Sequence, residues 1–195
     1  MSWWSGPERL KSYFKDGRPD AACTMVYFGA GMDVRPVLSP HAWTQYVKDY
    51  VYIDQLPAKT TSYPMFEGFE ITKFSRQFLY HLSEFSFTKP TLDMPHNRYF
   101  RVNLSDGRKI HYFCSTTVED VISGKAPLEV APLLKSATMI FMKEFAPTSK
   151  IFEHLPNLSV LFTQTFIYNS IKTTLPKILR FYPTFGYTYV ERETG

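Results

Sequence analysis

Thr24-Met25-Val26-Tyr27-Phe28-Gly29-Ala30-Gly31 opens the stretch that decides the fold, and Tyr50-Val51-Tyr52-Ile53-Asp54 closes it. A short apolar run that ends in glycines reads as a buried strand meeting a tight turn. Ser39-Pro40 then reads as an N-cap with Pro at the first helical position, opening a short helix through about Lys48. The second apolar run ends at Asp54 and is stopped by Pro57, so it reads as another strand with an acid at its tip. Strand, glycine turn, helix, strand and acid follow one another in doubly wound folds. There glycine lets a ligand approach the backbone, and the acid accepts ribose hydroxyls. Asp54 stands 25 residues after Gly29, past the usual interval of about 20, and Val34 replaces the third glycine of the dinucleotide pattern. The same residues admit a plainer reading, a tight turn beside a solvated strand-end acid.

Outward from this unit, strands and helices alternate. Pro7–Phe14 reads as a short helix with Pro at its first position. Ile71, Phe74, Phe78, Leu82 and Phe85 recur at three- and four-residue steps, the stripe of an amphipathic helix between Glu70 and Phe85. Arg98–Leu104 and Lys109–Ser115 flank Asp106-Gly107, the sequence of a two-residue hairpin turn. Thr116 with Glu119 makes a capping box for a helix over Val118–Ser123. Ala137–Phe145 reads as a strand, Ser149–Leu155 as a short helix, Leu158–Phe166 as a strand, and Thr184–Val190 as a closing aromatic strand. Short apolar strands separated by helices predict an α/β fold with a mostly parallel sheet flanked by helices and a β-hairpin insertion.

Composition agrees with a folded domain. The chain has 195 residues, 44% hydrophobic and 21% charged, which excludes disordered, collagenous and coiled-coil chains. Neither repeat nor low-complexity linker interrupts it, so residues 1–195 read as a single domain. Two cysteines cannot form a disulfide framework or a four-cysteine zinc site. No apolar stretch reaches signal-peptide or membrane-helix length, so the expectation is an intracellular protein that is neither secreted nor in contact with a membrane. The net charge of +4 lies wholly in residues 98–195, which permits an anionic partner without requiring one.

Phe28-Gly29-Ala30-Gly31-Met32-Asp33-Val34-Arg35-Pro36 resembles the Gly-Ala-Gly-Leu-Asp-Thr-Arg segment of S-adenosylmethionine-dependent methyltransferases related to the leucine carboxyl methyltransferases. Val51–Pro57 resembles the acidic second-strand end of the same proteins. The combination is also similar to uncharacterised Rossmann-like proteins of large double-stranded DNA viruses. These share the glycine turn, a Tyr-Ile-Asp-x-x-Pro strand end, a central hairpin and a later Pro-containing loop, here Phe145-Ala146-Pro147. The specific likeness covers Val26–Pro57; beyond it only the order of elements matches. It implies a Rossmann-like methyltransferase-fold domain that binds S-adenosylmethionine and transfers its methyl group. Gly29 and Gly31 would line the methionine part, with Asp33 beside them; Arg35 would meet the carboxylate and Asp54 the ribose. The viral likeness implies a place in the host cytoplasm, the nucleus or the virion.

No distinctive catalytic spacing accompanies the turn. Two prolines, Pro36 and Pro40, delay the first helix, and the acid-Pro-Pro-aromatic motif of amino-methylating enzymes is missing after the hairpin. Asp33, His111 and Glu144 are the bases nearest predicted strand ends, and none is singled out by its surroundings, so catalytic residues stay unassigned. The five histidines show no metal-binding spacing, and no phosphate loop or nucleophile elbow occurs. The hairpin offers a second function. A two-residue turn pairs Arg101 with Tyr112 and Tyr99 with Cys114, setting rings beside a cation, with Arg98, Arg108 and Lys109 at the ends. Such a face can stack bases and neutralise phosphates, so the alternative is a catalytically degenerate protein that binds nucleic acid or is virion-associated. An ordinary amphipathic hairpin with a basic outer face explains the same residues.

Overall fold

Strands that are apolar on both faces need cover on both faces, and this dictates the layering. A computed structural model describes residues 23–38, 47–57, 71–85, 89–143, 145, 147–158, 160–164, 169, 173, 180–184 and 187–191. In chain order the elements are β1 (Cys23–Phe28), α1 (Arg35–Leu38), β2 (Val47–Ile53), α2 (Ile71–Phe85), β3 (Thr91–His96), β4 (Tyr99–Asn103) and β5 (Lys109–Phe113). They continue with α3 (Val118–Ser123), α4 (Val130–Ser136), β6 (Met139–Met142), a 3-10 helix over Ser149–His154, β7 (Val160–Gln164), β8 (Arg180–Thr184) and β9 (Tyr187–Glu191).

The strands form one nine-stranded sheet in the order β3-β4-β5-β2-β1-β6-β7-β9-β8. Its five central strands, β5 to β7, run parallel, while β3 and β4 extend one edge antiparallel. At the other edge β9 lies antiparallel between β7 and β8. The chain moves from β1 to β2 on one side and reaches β6 on the other, so the strand order reverses at β1. In open α/β sheets ligands bind at that reversal, outside the carboxyl ends of the strands. The architecture is the Rossmann-like, mostly parallel sheet with flanking helices.

Alternate residues of β1 feed two cores. Met25 and Tyr27 join Tyr50, Tyr52, Phe100, Tyr112 and Phe141 under α2, whose Phe74, Phe78 and Leu82 are fully buried. Val26 and Phe28 join Val51, Ile53, Phe113 and Ile140 under α3, α4 and the 3-10 helix. Each such side chain contributes about 1.5–3 kcal/mol by leaving water.

Three local expectations are corrected. The hairpin loop has three residues, not two: the Leu104 N–H donates to the Arg108 carbonyl at 2.9 Å, and Gly107 takes a positive φ of 91°. That is a tight turn followed by a left-handed glycine, and it shifts the register by one residue. Arg101 pairs with His111, Tyr99 with Phe113, and Phe100 with Tyr112. The capping box is Thr117 with Asp120, one residue later than Thr116 with Glu119. Val47 and Lys48 belong to β2 rather than to a helix. Pro7–Phe14 and Ser39-Pro40 lie outside the described residues. Four elements have no counterpart in the sequence reading: the helix α1, the edge strand β3, the helix α4 and the strand β8. Among the described residues no helix is long and apolar enough to cross a membrane.

Candidate functional site

A cavity of about 550 Å³ lies beyond the carboxyl ends of the parallel strands at the reversal point, within the size range of small-molecule pockets. Its walls come from the loops after β1 (Gly29–Asp33, Arg35), β2 (Asp54, Gln55), β5 (Thr116–Glu119) and β6 (Lys143, Phe145, Thr148). Gly29, Gly31, Asp33, Arg35 and Asp54, singled out from the sequence, therefore share one crevice.

The turn after β1 needs its glycines. Gly29 has φ +67° and Gly31 φ +52°, backbone conformations that side chains disfavour. The Gly29 N–H donates to the Ile53 carbonyl at 2.8 Å, and the Asp33 N–H to the Ala30 carbonyl at 3.0 Å, closing the turn against the end of β2. Among the described residues a Cβ placed on Gly31 meets nothing within 4 Å, so its backbone borders open space. A Cβ on Gly29 would lie 3.1 Å from Phe145, whose half-exposed ring covers that part of the turn.

Asp54 is buried and links three segments. Its Oδ2 accepts the Gly31 N–H at 2.7 Å and its Oδ1 accepts the Leu56 N–H at 2.8 Å. Its own N–H donates to the Phe113 carbonyl, and its carbonyl accepts from the Thr116 N–H. Burial raises its carboxyl above the ordinary value, and the backbone N–H donors of Leu56 and Gly31 offset this in part. Asp33 and Arg35 form an ion pair, with Nε to Oδ1 at 2.8 Å and Nη2 to Oδ2 at 3.2 Å. Arg35 thus enters the site already matched to a carboxylate of its own chain.

Sequence reasoning missed the tyrosines beneath the turn. Tyr27 Oη donates to Asp33 Oδ2 at 2.8 Å, Tyr52 Oη to the Asp33 carbonyl at 2.7 Å, and Tyr112 Oη to the Gly31 carbonyl at 2.5 Å. Their only signal is position, since tyrosine inside an apolar strand reads as core. Phe145, Thr116 and Thr117 were likewise invisible as lining residues, because they belong to loops that only the sheet brings together.

The corrected register places Arg101 and Tyr112 of the nucleic-acid alternative on opposite faces of the hairpin. Tyr112 is completely buried, so it cannot stack on a base. Arg98 contacts Asp120, Thr116 and the Ser115 carbonyl; Arg101 pairs with Asp93. Arg108 pairs with Asp106 and donates to the Val37 carbonyl and Tyr50 Oη. Lys109 is exposed. Among the candidate bases, His111 lies between Tyr99 Oη at 2.7 Å and Asp49 Oδ1 at 2.8 Å, away from the cavity lining. Glu144 lies outside the described residues.

No family model matches the chain, and no curated protein matches it. Several solved structures align with it over nearly its whole length. TrmK of M. capricolum, in complex with the cofactor product S-adenosyl-homocysteine, is 13% identical, with 96% of this chain and 69% of that chain covered and a TM-score of 0.39. Sp1610 of Streptococcus pneumoniae, proposed to be a tRNA (m1A22) methyltransferase, is 10% identical over 95% and 68% of the two chains, with a TM-score of 0.41. The CurJ carbon methyltransferase is 10% identical over 95% and 52%, with a TM-score of 0.44.

Proposed function

We propose that this chain binds S-adenosylmethionine in the crevice at the sheet reversal and serves as a methyltransferase-fold protein. The observation that carries the reading is the direction of the Gly31 amide, which donates to Asp54 instead of standing free. A dinucleotide's pyrophosphate needs free N–H groups at a helix N-terminus. Here the helix after the turn has four residues, and Asp33, Asp54 and Glu119 line the walls. Against these three carboxylates the lining sets two cations, Lys143 and an Arg35 already paired with Asp33, so a phosphate would meet a wall that is acidic on balance. A phosphate-free nucleoside carrying a sulfonium and an ammonium group suits them.

The lining fits such a ligand. Each carboxylate oxygen has two acceptor sites, so Asp54 retains capacity for ribose hydroxyls after accepting Gly31 and Leu56. The open space at Gly31 admits the methionine portion. Arg35 would approach the cofactor's carboxylate as one half of its pair with Asp33, which sets the guanidinium plane. When bound, S-adenosylmethionine supplies an electrophilic methyl group. The chain's own part is to hold it in place and to shut water out.

Isothermal titration with S-adenosyl-homocysteine tests this. Heat at up to millimolar ligand, with none for a nicotinamide dinucleotide, is the expected result; silence with the first ligand removes the proposal. Asp54→Ala should weaken binding by about 1.5–3 kcal/mol. Asp54→Asn, which keeps an acceptor for one backbone N–H, covers the case where the alanine variant fails to fold.

One observation favours a second reading. Phe145 packs on Gly29, and both Asp54 oxygens are already engaged, as in a site that has closed over a lost cofactor. A degenerate protein of this kind would ignore the ligand. If it instead bound duplex DNA, log K would fall linearly with log salt.

A further inference from the structure

One row of aromatic side chains crosses the sheet in register. Phe100 pairs with Tyr112, Tyr112 with Tyr52, Tyr52 with Tyr27, and Tyr27 with Phe141. The rings touch in series, with centroids 5.5 Å apart for Tyr52 and Tyr112 and 5.4 Å for Tyr27 and Tyr52. Packing alone needs no hydroxyl at any of these places, and the outer pair, Phe100 and Phe141, has none. Hydroxyls occur on the three middle strands, and all three donate to the Gly31–Asp33 segment. Burial pushes the Tyr52 and Tyr112 phenols well above their ordinary range, which keeps both as donors.

The acceptors they choose are specific. Gly31 is fixed through both sides of its residue, N–H to Asp54 and carbonyl to Tyr112. Asp33 is fixed at its carbonyl by Tyr52 and at its carboxylate by Tyr27, which leaves Oδ1 to take the Arg35 Nε. Because no side chain of the turn itself can supply these donors, the sheet beneath it does so.

We propose that the hydroxyls of Tyr27, Tyr52 and Tyr112 are positioning residues. They hold the Gly31–Asp33 segment and the Asp33–Arg35 pair in the shape that meets the ligand. The inference rests on the cofactor reading above for its ligand, but the ordering of the turn can be read without one.

Single Tyr→Phe variants at the three positions remove one oxygen each and keep the rings. Tyr99→Phe is the control, since its hydroxyl bonds His111 on the opposite face of the sheet. In the free proteins, amide hydrogen exchange should rise at residues 31–35 in the three row variants and stay at the wild-type level there in Tyr99→Phe. Titration with S-adenosyl-homocysteine should weaken about tenfold for Tyr112→Phe and stay unchanged for Tyr99→Phe, whatever each variant does to the melting temperature. Unchanged exchange at residues 31–35, or equal affinity losses in Tyr112→Phe and the control, overturns the proposal. If the wild type binds no S-adenosyl-homocysteine, the cofactor reading falls, and the exchange comparison still decides whether the row orders the turn.

Discussion

Gly29 and Gly31 share a left-handed backbone but not a neighbourhood, and that difference separates conformational strain from crowding. Alanine at Gly31 meets only the backbone penalty, about 1–2 kcal/mol, because no described residue stands within 4 Å of its Cβ. Alanine at Gly29 carries that penalty and also presses on Phe145 at 3.1 Å. Urea denaturation should therefore show a larger loss for Gly29→Ala than for Gly31→Ala, and Phe145→Ala in the same chain should recover the excess. Equal losses would mean that the ring yields freely. Both glycines and Asp54 were legible in the sequence because glycine after an apolar run, and an acid at the next strand's tip, are unusual in a core. Tyr27, Tyr52 and Tyr112 were not. Their hydroxyls matter through acceptors 6 to 81 residues away along the chain, and no local pattern marks such a pair.

Elements were read well where a period or a cap governs them and poorly where geometry turns on one residue. The stripe of Phe74, Phe78 and Leu82 gave α2, since packing on a sheet needs just that spacing. Asp106-Gly107 gave the hairpin but not its loop length, because a left-handed glycine serves both a two-residue turn and a three-residue turn with a bulge. One residue of slip moved Tyr112 from an outer face into the core. β3 and α4 escaped for simpler reasons: β3 is an exposed edge containing Pro95, and α4 carries Pro132 in its first turn. The cap of α3 gives a clean test of the corrected register. Asp120 accepts from the Thr117 N–H at 3.0 Å and from Arg98 at 3.1 Å, whereas Glu119 is exposed. Asp120→Asn should cost about 1 kcal/mol in denaturant midpoints, and Glu119→Gln should stay within about 0.5 kcal/mol of wild type. The reverse order would restore the cap at Thr116 and Glu119.

Taken as a whole molecule, the sheet places its carboxylates in two contrasting settings at one rim, and the stability of the fold should record both. The mostly parallel sheet that makes this rim was legible from the alternation of elements, while its strand order and the convergence of four loops on it were not, because both depend on strands joined far apart in sequence. Asp54 sits inside the rim, where burial raises its carboxyl above the ordinary value of 3.8. Asp120 sits at the start of α3, where the Thr117 N–H, the Thr117 hydroxyl and Arg98 bring its carboxyl below 3.8. The signs are opposite. With a raised folded value, the native state holds the Asp54 proton longer than the unfolded chain does. Its contribution is full below 3.8 and is lost as pH rises through the folded value. For Asp120 the native state releases the proton earlier, so its contribution is present above 3.8 and is lost as pH falls through the folded value. Unfolding free energies of wild type, Asp54→Asn and Asp120→Asn, measured from pH 3 to pH 7, separate the two. The difference between wild type and Asp54→Asn should shrink as pH rises above about 4, and that between wild type and Asp120→Asn should grow as pH rises toward about 4. Parallel differences would mean that Asp54, like Asp120, holds its proton less tightly in the folded chain than in the unfolded one. Its backbone donors would then outweigh burial, and the carboxylate would stand ionised at the crevice at neutral pH. Saturating S-adenosyl-homocysteine sharpens the comparison. A ligand whose ribose hydroxyls donate to the ionised carboxylate adds stability that falls away as Asp54 takes up its proton. Ligand-induced stabilisation of wild type should therefore decline toward low pH, and that of Asp54→Asn should not decline for this reason.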